Sequence, residues 1–281
     1  MDSAIRNDKT RLALAQLPIL IRQIHGALRA ARDDSERERL HSLLCSAYVA
    51  AEGACCRLGY LSLTTLVLDR LDSAATQTND PLFKVRSLMK RARLLMSYDS
   101  TDSAMSLVEE GLGMISNDRE PERVLRGYGH LRGAIVAARG RRLDLAQSHI
   151  REARLIARPM DRESDLYGTL FGPGNVEIHA CSVELEAGDP GKAAREGSLL
   201  VLPKDIAAPR AGHHWQDTAR AWLIVGQPDK ALKSLTTARR IAPQQTKLHP
   251  DVRETLHGIA AAERRRSDSL GAFARWVGVT L

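Results

Sequence analysis

Apolar and small residues recur along this chain at steps of three and four, and the polar positions between them keep helical phase. The clearest stretch begins at Trp215, with Thr218, Ala219 and Trp222 following on the same helix face. Gly226 then supplies a left-handed residue to end that helix, and Pro228 suits the first turn of the next. Ala231, Leu235 and Ala238 share one face of the second helix before Pro243 stops it. Small side chains at 231 and 238 let the two helices approach closely. Trp215, Trp222 and Leu235 are expected to fill the space between them, so Trp215→Ala is expected to cost about 3–5 kcal/mol.

This order of residues follows the tetratricopeptide pattern W-x2-L-G-x2-Y…A-x3-F…P, with the Trp-to-Pro spacing kept. Turn markers at Gly59, Asp99, Gly140, Gly188 and Gly226 define five such units, the longest step falling between Gly140 and Gly188. Behind each marker lie the matching second-helix residues: Thr64, Leu68 and Leu71, then Ala104, Val108 and Gly111, then Ala146, Ile150 and Ala153, then Ala193. The third unit carries one inserted residue at its turn. Amphipathic helices at about 9–31 and 250–276 read as the polar-faced caps that a solenoid needs. Breaks such as Asn79-Asp80-Pro81, Gly172-Pro173-Gly174 and Pro203–Pro209 are too short to be domain linkers. The pattern predicts one all-α domain over 1–281, a tetratricopeptide-like right-handed superhelix of antiparallel helix pairs with N- and C-terminal capping helices.

Composition changes this picture little. Aromatics are only 4% while Ala, Leu and Arg dominate, which favours helix and argues against single-strand stacking platforms. The net charge of +7 is spread along the chain, and its one tight cluster, Arg264-Arg265-Arg266, suits a solvated helix face. Cys45, Cys55, Cys56 and Cys181 form no C-x-x-C pair and read as buried reduced thiols. No apolar run approaches the length of a spanning helix, so the expected location is cytoplasmic, with no membrane partner.

No metalloprotease, phosphate-loop or nucleophile-elbow motif is present, so neither an enzyme, a cofactor nor a metal site is expected. Asn175, after Gly172-Pro173-Gly174, reads as a helix N-cap or as a groove residue. What remains is the concave face, lined by the first helix of each pair. Projecting the register from Trp215 points His213, Gln216 and Arg220 inward, and the preceding units add Asn175, Ile178 or His179, and Ser182, then His130 and Ala134, then Arg86, Met89, Arg93 and Met96. Arg86, Arg93, His130, Asn175, His179, His213, Gln216 and Arg220 are therefore the candidate ligand- or peptide-binding residues. Such donors suit an anionic group, a peptide carboxylate for example, held by charge-assisted hydrogen bonds, with Arg93 and Arg220 as its main contacts.

The C-terminal half carries further blocks: Phe171-Gly172-Pro173-x-Asn175-Val176-x-Ile178-His179, Arg210-Ala211-x-His213-His214-x3-Thr218-Ala219-Arg220-Ala221, Ala238-x2-Ile241-Ala242-Pro243-Gln244-Gln245 and His249-Pro250-x-Val252-Arg253-Glu254-Thr255. Together they resemble the C-terminal tetratricopeptide-type sensor region of actinobacterial transcriptional regulators of the xenobiotic-response-element (XRE) class. The likeness is strongest over about 165–276. It implies a regulatory role, dimerisation, and a peptide, protein or small-ligand partner in the groove. Members of that class begin with a DNA-binding helix-turn-helix unit that is not found in this sequence, so DNA contact would fall to a separate domain. The alternative is a stand-alone adaptor that docks a partner's peptide.

Overall fold

The computed structural model describes residues 6–262 and 267–281. Within them the chain is helical nearly throughout: α1 (Thr10–Ala30), α2 (Asp34–Arg57), α3 (Leu61–Ala75), α4 (Leu82–Met96), α5 (Thr101–Gly113), α6 (Glu120–Arg139), α7 (Leu143–Ala157), α8 (Pro173–Ala187), α9 (Pro190–Leu199), α10 (Ala208–Ile224), α11 (Pro228–Ile241), α12 (Pro243–Leu248), α13 (Pro250–Ala262) and α14 (Asp268–Val277). None of these is long and apolar enough to cross a membrane. The all-α class read from the sequence is what the structure shows. The five pairs α2/α3, α4/α5, α6/α7, α8/α9 and α10/α11 pack in succession. The first helices stand side by side, and each second helix also packs on the next pair.

One turn device repeats through all five pairs. A left-handed residue ends each first helix, at Gly59 (φ 77), Asp99 (φ 54), Arg141 (φ 56), Gly188 (φ 97) and Gly226 (φ 74). The next residue then donates its N–H to the carbonyl five positions back: Tyr60 to Cys55, Ser100 to Leu95, Arg142 to Ala137, Asp189 to Glu184 and Gln227 to Trp222. This Schellman closure satisfies carbonyls that the helix end would leave bare. The third turn corrects the sequence reading. Gly140, at φ −74, is not its left-handed residue, and there is no insertion once Arg141 takes that place. Counted from these residues, the second helices share one register, and Thr64, Leu68, Ala104, Val108, Ala146, Ile150, Ala193, Ala231 and Leu235 are all buried.

The last pair holds a second correction. Leu235 is fully buried between α10, α11 and α13, together with Ala219, Val252 and Leu256. Trp215 is only half-buried and lies outside that cluster, its ring edge-on to His214 at 5.4 Å. Trp222 is also half-buried, donating from its indole to Ser198 Oγ at 2.8 Å under the Lys230 ammonium. Leu235→Ala should therefore cost about 2–5 kcal/mol and Trp215→Ala distinctly less, an ordering that urea midpoints will check. Equal midpoints would mean that the Trp215 ring is part of the core.

The caps are partly as expected. α1 matches the predicted N-terminal helix, whereas the C-terminal one is two helices, α13 and α14, the second capped by Ser267 Oγ on the Leu270 N–H. Arg264, Arg265 and Arg266 lie outside the described residues. Pro243 opens α12 instead of only ending α11. The N-terminal segment meets α12 there: the buried Asp8 carboxylate accepts from the N–H groups of Gln244 (2.6 Å) and Gln245 (2.9 Å), and Gln244 Oε1 accepts from the Arg11 N–H.

The long third step is a loop, 158–172, that turns onto the inner face. Ser164 and Phe171 exchange both backbone hydrogen bonds, while Tyr167 and Leu170 adopt left-handed φ values of 53 and 54. Two bulky residues in that region are strained and must be held by their surroundings. Tyr167 packs on Phe83 at 5.1 Å and donates to Asp80 Oδ2 at 2.6 Å; Phe171 is wholly buried.

Candidate functional site

The first helices surround a cavity of about 440 Å³, and no second helix contributes to its lining. The lining follows from the turn register. Positions thirteen, nine, six and two before the left-handed residue are Ser46, Ala50, Gly53 and Arg57 on α2; Arg86, Lys90, Arg93 and Ser97 at α4; and Tyr128, Arg132, Ile135 and Arg139 on α6. The same positions are Asn175, His179, Ser182 and Glu186 on α8, and His213, Asp217 and Arg220 on α10. This i, i+4, i+7, i+11 stripe is one helix face repeated five times. The loop 165–170 and Arg6 close over it, with Arg6 reaching Asp165 at 2.6 Å and the Asp205 carbonyl at 2.5 Å.

Six of the eight candidate residues come together here: Arg86, Arg93, Asn175, His179, His213 and Arg220. His130 and Gln216 do not. His130 faces α7, its Nδ1 3.0 Å from that of His149, and burial, with His149 and Arg126 beside it, pushes its pKa down to about 4. Gln216 is buried towards α12, donating from Nε2 to Thr246 Oγ1 at 3.3 Å. Ala134 and Met89 also belong to the packed core. Ala134 is misplaced by counting from Gly140 instead of Arg141, whereas His130, Met89 and Gln216 each lie ten positions before the turn marker read from the sequence, a place outside the lining stripe. Asn175 is not a helix N-cap either. Gly172 holds that place, and the side chain of Asn175 donates to the Leu170 carbonyl (2.6 Å) and accepts from Arg210 Nε (2.9 Å).

The charges sort into two sets. Glu52, with no exposed surface, sits between Lys90 and Arg93, the latter at 2.6 Å. Burial pushes its pKa up, but Arg93 and Lys90 outweigh this and hold it at about 2. Glu186 pairs with Arg220 (2.5 Å) and Arg139 (3.0 Å). Asp217 accepts from Ser182 Oγ at 2.9 Å and lies 3.7 Å from His213. Arg93 and Arg220, the expected main anion contacts, are thus already neutralised by carboxylates.

The second set has no carboxylate at ion-pair distance, although Asp217 and Glu163 act on Arg210 and Glu52 and Asp8 on Arg57 from further off. Arg86 is 3% exposed, donates to the carbonyls of Tyr167 and Gly168 (both 2.9 Å) and lies over the Tyr128 ring at 4.2 Å. Arg132 donates to the Tyr128 hydroxyl at 3.0 Å, and Arg210 to Asn175. Arg57 has no hydrogen bond or ion pair among the described residues. Burial pushes the Tyr128 phenol up, yet Arg132, Arg86, Lys90 and Arg93 together hold its pKa well below the ordinary phenol range. Arg57, Tyr128 and Arg132 carry no mark in residue type that separates them from other polar helix residues, and only the turn register finds them; Arg210, sixteen positions before Gly226, lies outside that register.

Glu163 occupies the place a phosphate would take at a glycine-rich helix start. Its Oε1 accepts from the N–H groups of Gly174 (2.8 Å) and Asn175 (3.4 Å) at the head of α8. Burial nevertheless raises its pKa to about 7, with Asp205 adding to the effect. Because the folded value exceeds the unfolded one, its contribution to stability is complete below about 4.5 and is lost as pH rises through about 7. The thermal midpoint of the wild type should fall relative to that of Glu163→Gln between pH 5 and 8; a constant difference would show that Glu163 is not the group responsible.

Among the described residues no group of His, Cys, Asp or Glu is placed to hold a metal ion. The chemistry on offer is recognition of an anion by guanidinium, imidazole and amide donors. No family model and no curated protein matches the chain. Among solved structures it is similar to the crystal structure of BtubC (BKLC) from P. vanneervenii, at 14% identity and a TM-score of 0.52, over 91% of this chain and 96% of that one, a likeness of fold alone.

Proposed function

We propose that this chain is the sensor and interaction region of a transcriptional regulator of the XRE class, built from tetratricopeptide-like units and binding a ligand in its cavity. One observation carries the reading: a face repeated through five helix pairs lines a single polar, cationic cavity, far more polar than packing needs. A ligand there touches several first helices at once. It would stabilise one relative arrangement of the pairs over others, and that population shift is the signal passed to a paired DNA-binding unit. Dimerisation, implied by the resemblance, would let two such units respond together.

Native mass spectrometry of the protein purified from its own host tests this. A reproducible bound mass, released on denaturation, is expected. A spectrum showing only the bare chain from cells in every growth phase would contradict the ligand-sensing reading and favour an adaptor that meets its partner transiently.

A further inference from the structure

We propose that the cavity holds a small molecule through a phosphoryl group, gripped by Arg57, Arg86, Arg132 and Arg210 around Tyr128; this rests on reading the cavity as a ligand site. Four guanidiniums without carboxylate partners line one enclosed space. Buried cations are normally paired, because removing an isolated charge from water is costly. Here the pairing stops short: Glu52 and Glu186 pair with their neighbours, whereas none of these four has a carboxylate at ion-pair distance, Asp217 and Glu163 acting on Arg210 and Glu52 and Asp8 on Arg57 only from further off. The Nη1 of Arg86 and the Nε atoms of Arg57 and Arg132 are buried with no hydrogen-bond partner. Folding alone gives no reason to gather unsatisfied donors of one sign.

The donors set the class of anion. A monocarboxylate offers one charge and two oxygens, enough for one guanidinium fork. A phosphoryl group offers close to two charges and three terminal oxygens, which can engage several forks at once. Tyr128 lies among the same cations, with Arg132 on its hydroxyl and Arg86 over its ring, so its phenol stands in part for the missing anion. The enclosure sets the size. Arg6 ties down to Asp165 and Asp205, Asp8 ties to α12, and the loop through Gly168 is pinned by Arg86. A volume of about 440 Å³ suits a small molecule.

The test is calorimetric titration of the full chain, exhaustively dialysed, at constant ionic strength. The probes are inorganic phosphate, glycerol 3-phosphate and succinate. Saturable binding of glycerol 3-phosphate is expected, weakened about tenfold or more by Arg57→Gln and by Arg132→Gln and unchanged by Arg126→Gln, whose partner is Asp118 outside the cavity. Both cavity variants should also raise the thermal midpoint of the free protein, since each removes a partly buried cation with no carboxylate at ion-pair distance. Phosphate binding without glycerol 3-phosphate binding would assign the site to the free ion. Succinate binding as tightly, with the same arginine dependence, would overturn the phosphoryl assignment and leave the ligand site standing. Binding of none of the three, with both variants destabilised, would make the arginines structural; the native mass spectrum then decides separately whether the cavity holds anything else.

Discussion

Glu52→Gln is expected to cost about 3–5 kcal/mol, because it leaves the buried Lys90 and the partly exposed Arg93 facing one another without their shared carboxylate. Glu52 has no exposed surface, and Lys90 beside it is almost as deeply buried. Burial already pushes the Lys90 pKa down to about 8 while Glu52 pulls it back up, so losing the carboxylate leaves the ammonium less favourable still. The variant's urea midpoint should fall sharply, and adding Lys90→Met should restore part of the loss by removing the stranded charge. An unchanged midpoint in the single variant would mean that water reaches the pair. The consequence extends to the site, since Arg93 would then join the unpaired cations in the cavity.

Phe171→Ala should cost about 3–5 kcal/mol. The ring is fully buried, and a Cβ built on Gly127 would lie 2.1 Å from its Cζ, so glycine is what lets α6 and the inserted loop approach. Gly127→Ala should accordingly be severe as well, and pairing it with Phe171→Leu should recover part of the loss. Thermal melts of the three variants check this. Independent, additive losses would show that the contact is not what seats the loop.

The helix pairs were legible because each second helix repeats small and apolar residues behind a turn, and that pattern needs no partner to be read. Ala231, Leu235 and Ala238 are buried as expected. The site was legible only as far as the turn was. Gly marks a left-handed residue plainly, but Arg141 adopts φ 56 beside a Gly140 that does not, and one step rotates a helix face by about 100°. That step points Ala134 inward in place of Ile135 and hides Tyr128. Trp215 misled for another reason: a repeat motif marks where a large ring usually packs, and here Leu235 with α13 fills the space. The inserted loop was unreadable, because its place depends on Phe83, Arg86 and Gly127, all distant in sequence. Which arginines are free was equally hidden, since it depends on where Glu52 and Glu186 reach.

The central claim, that a ligand sits among the first helices, is tested most directly by amide hydrogen exchange. The protein as purified from its host would be compared with the same protein stripped of small molecules by denaturation and refolding. Slower exchange is expected in the bound form along α2, α4, α6, α8 and α10 and in the loop 164–171, with the second helices little changed. Slower exchange confined to the second helices, or identical exchange in the two samples, would contradict it.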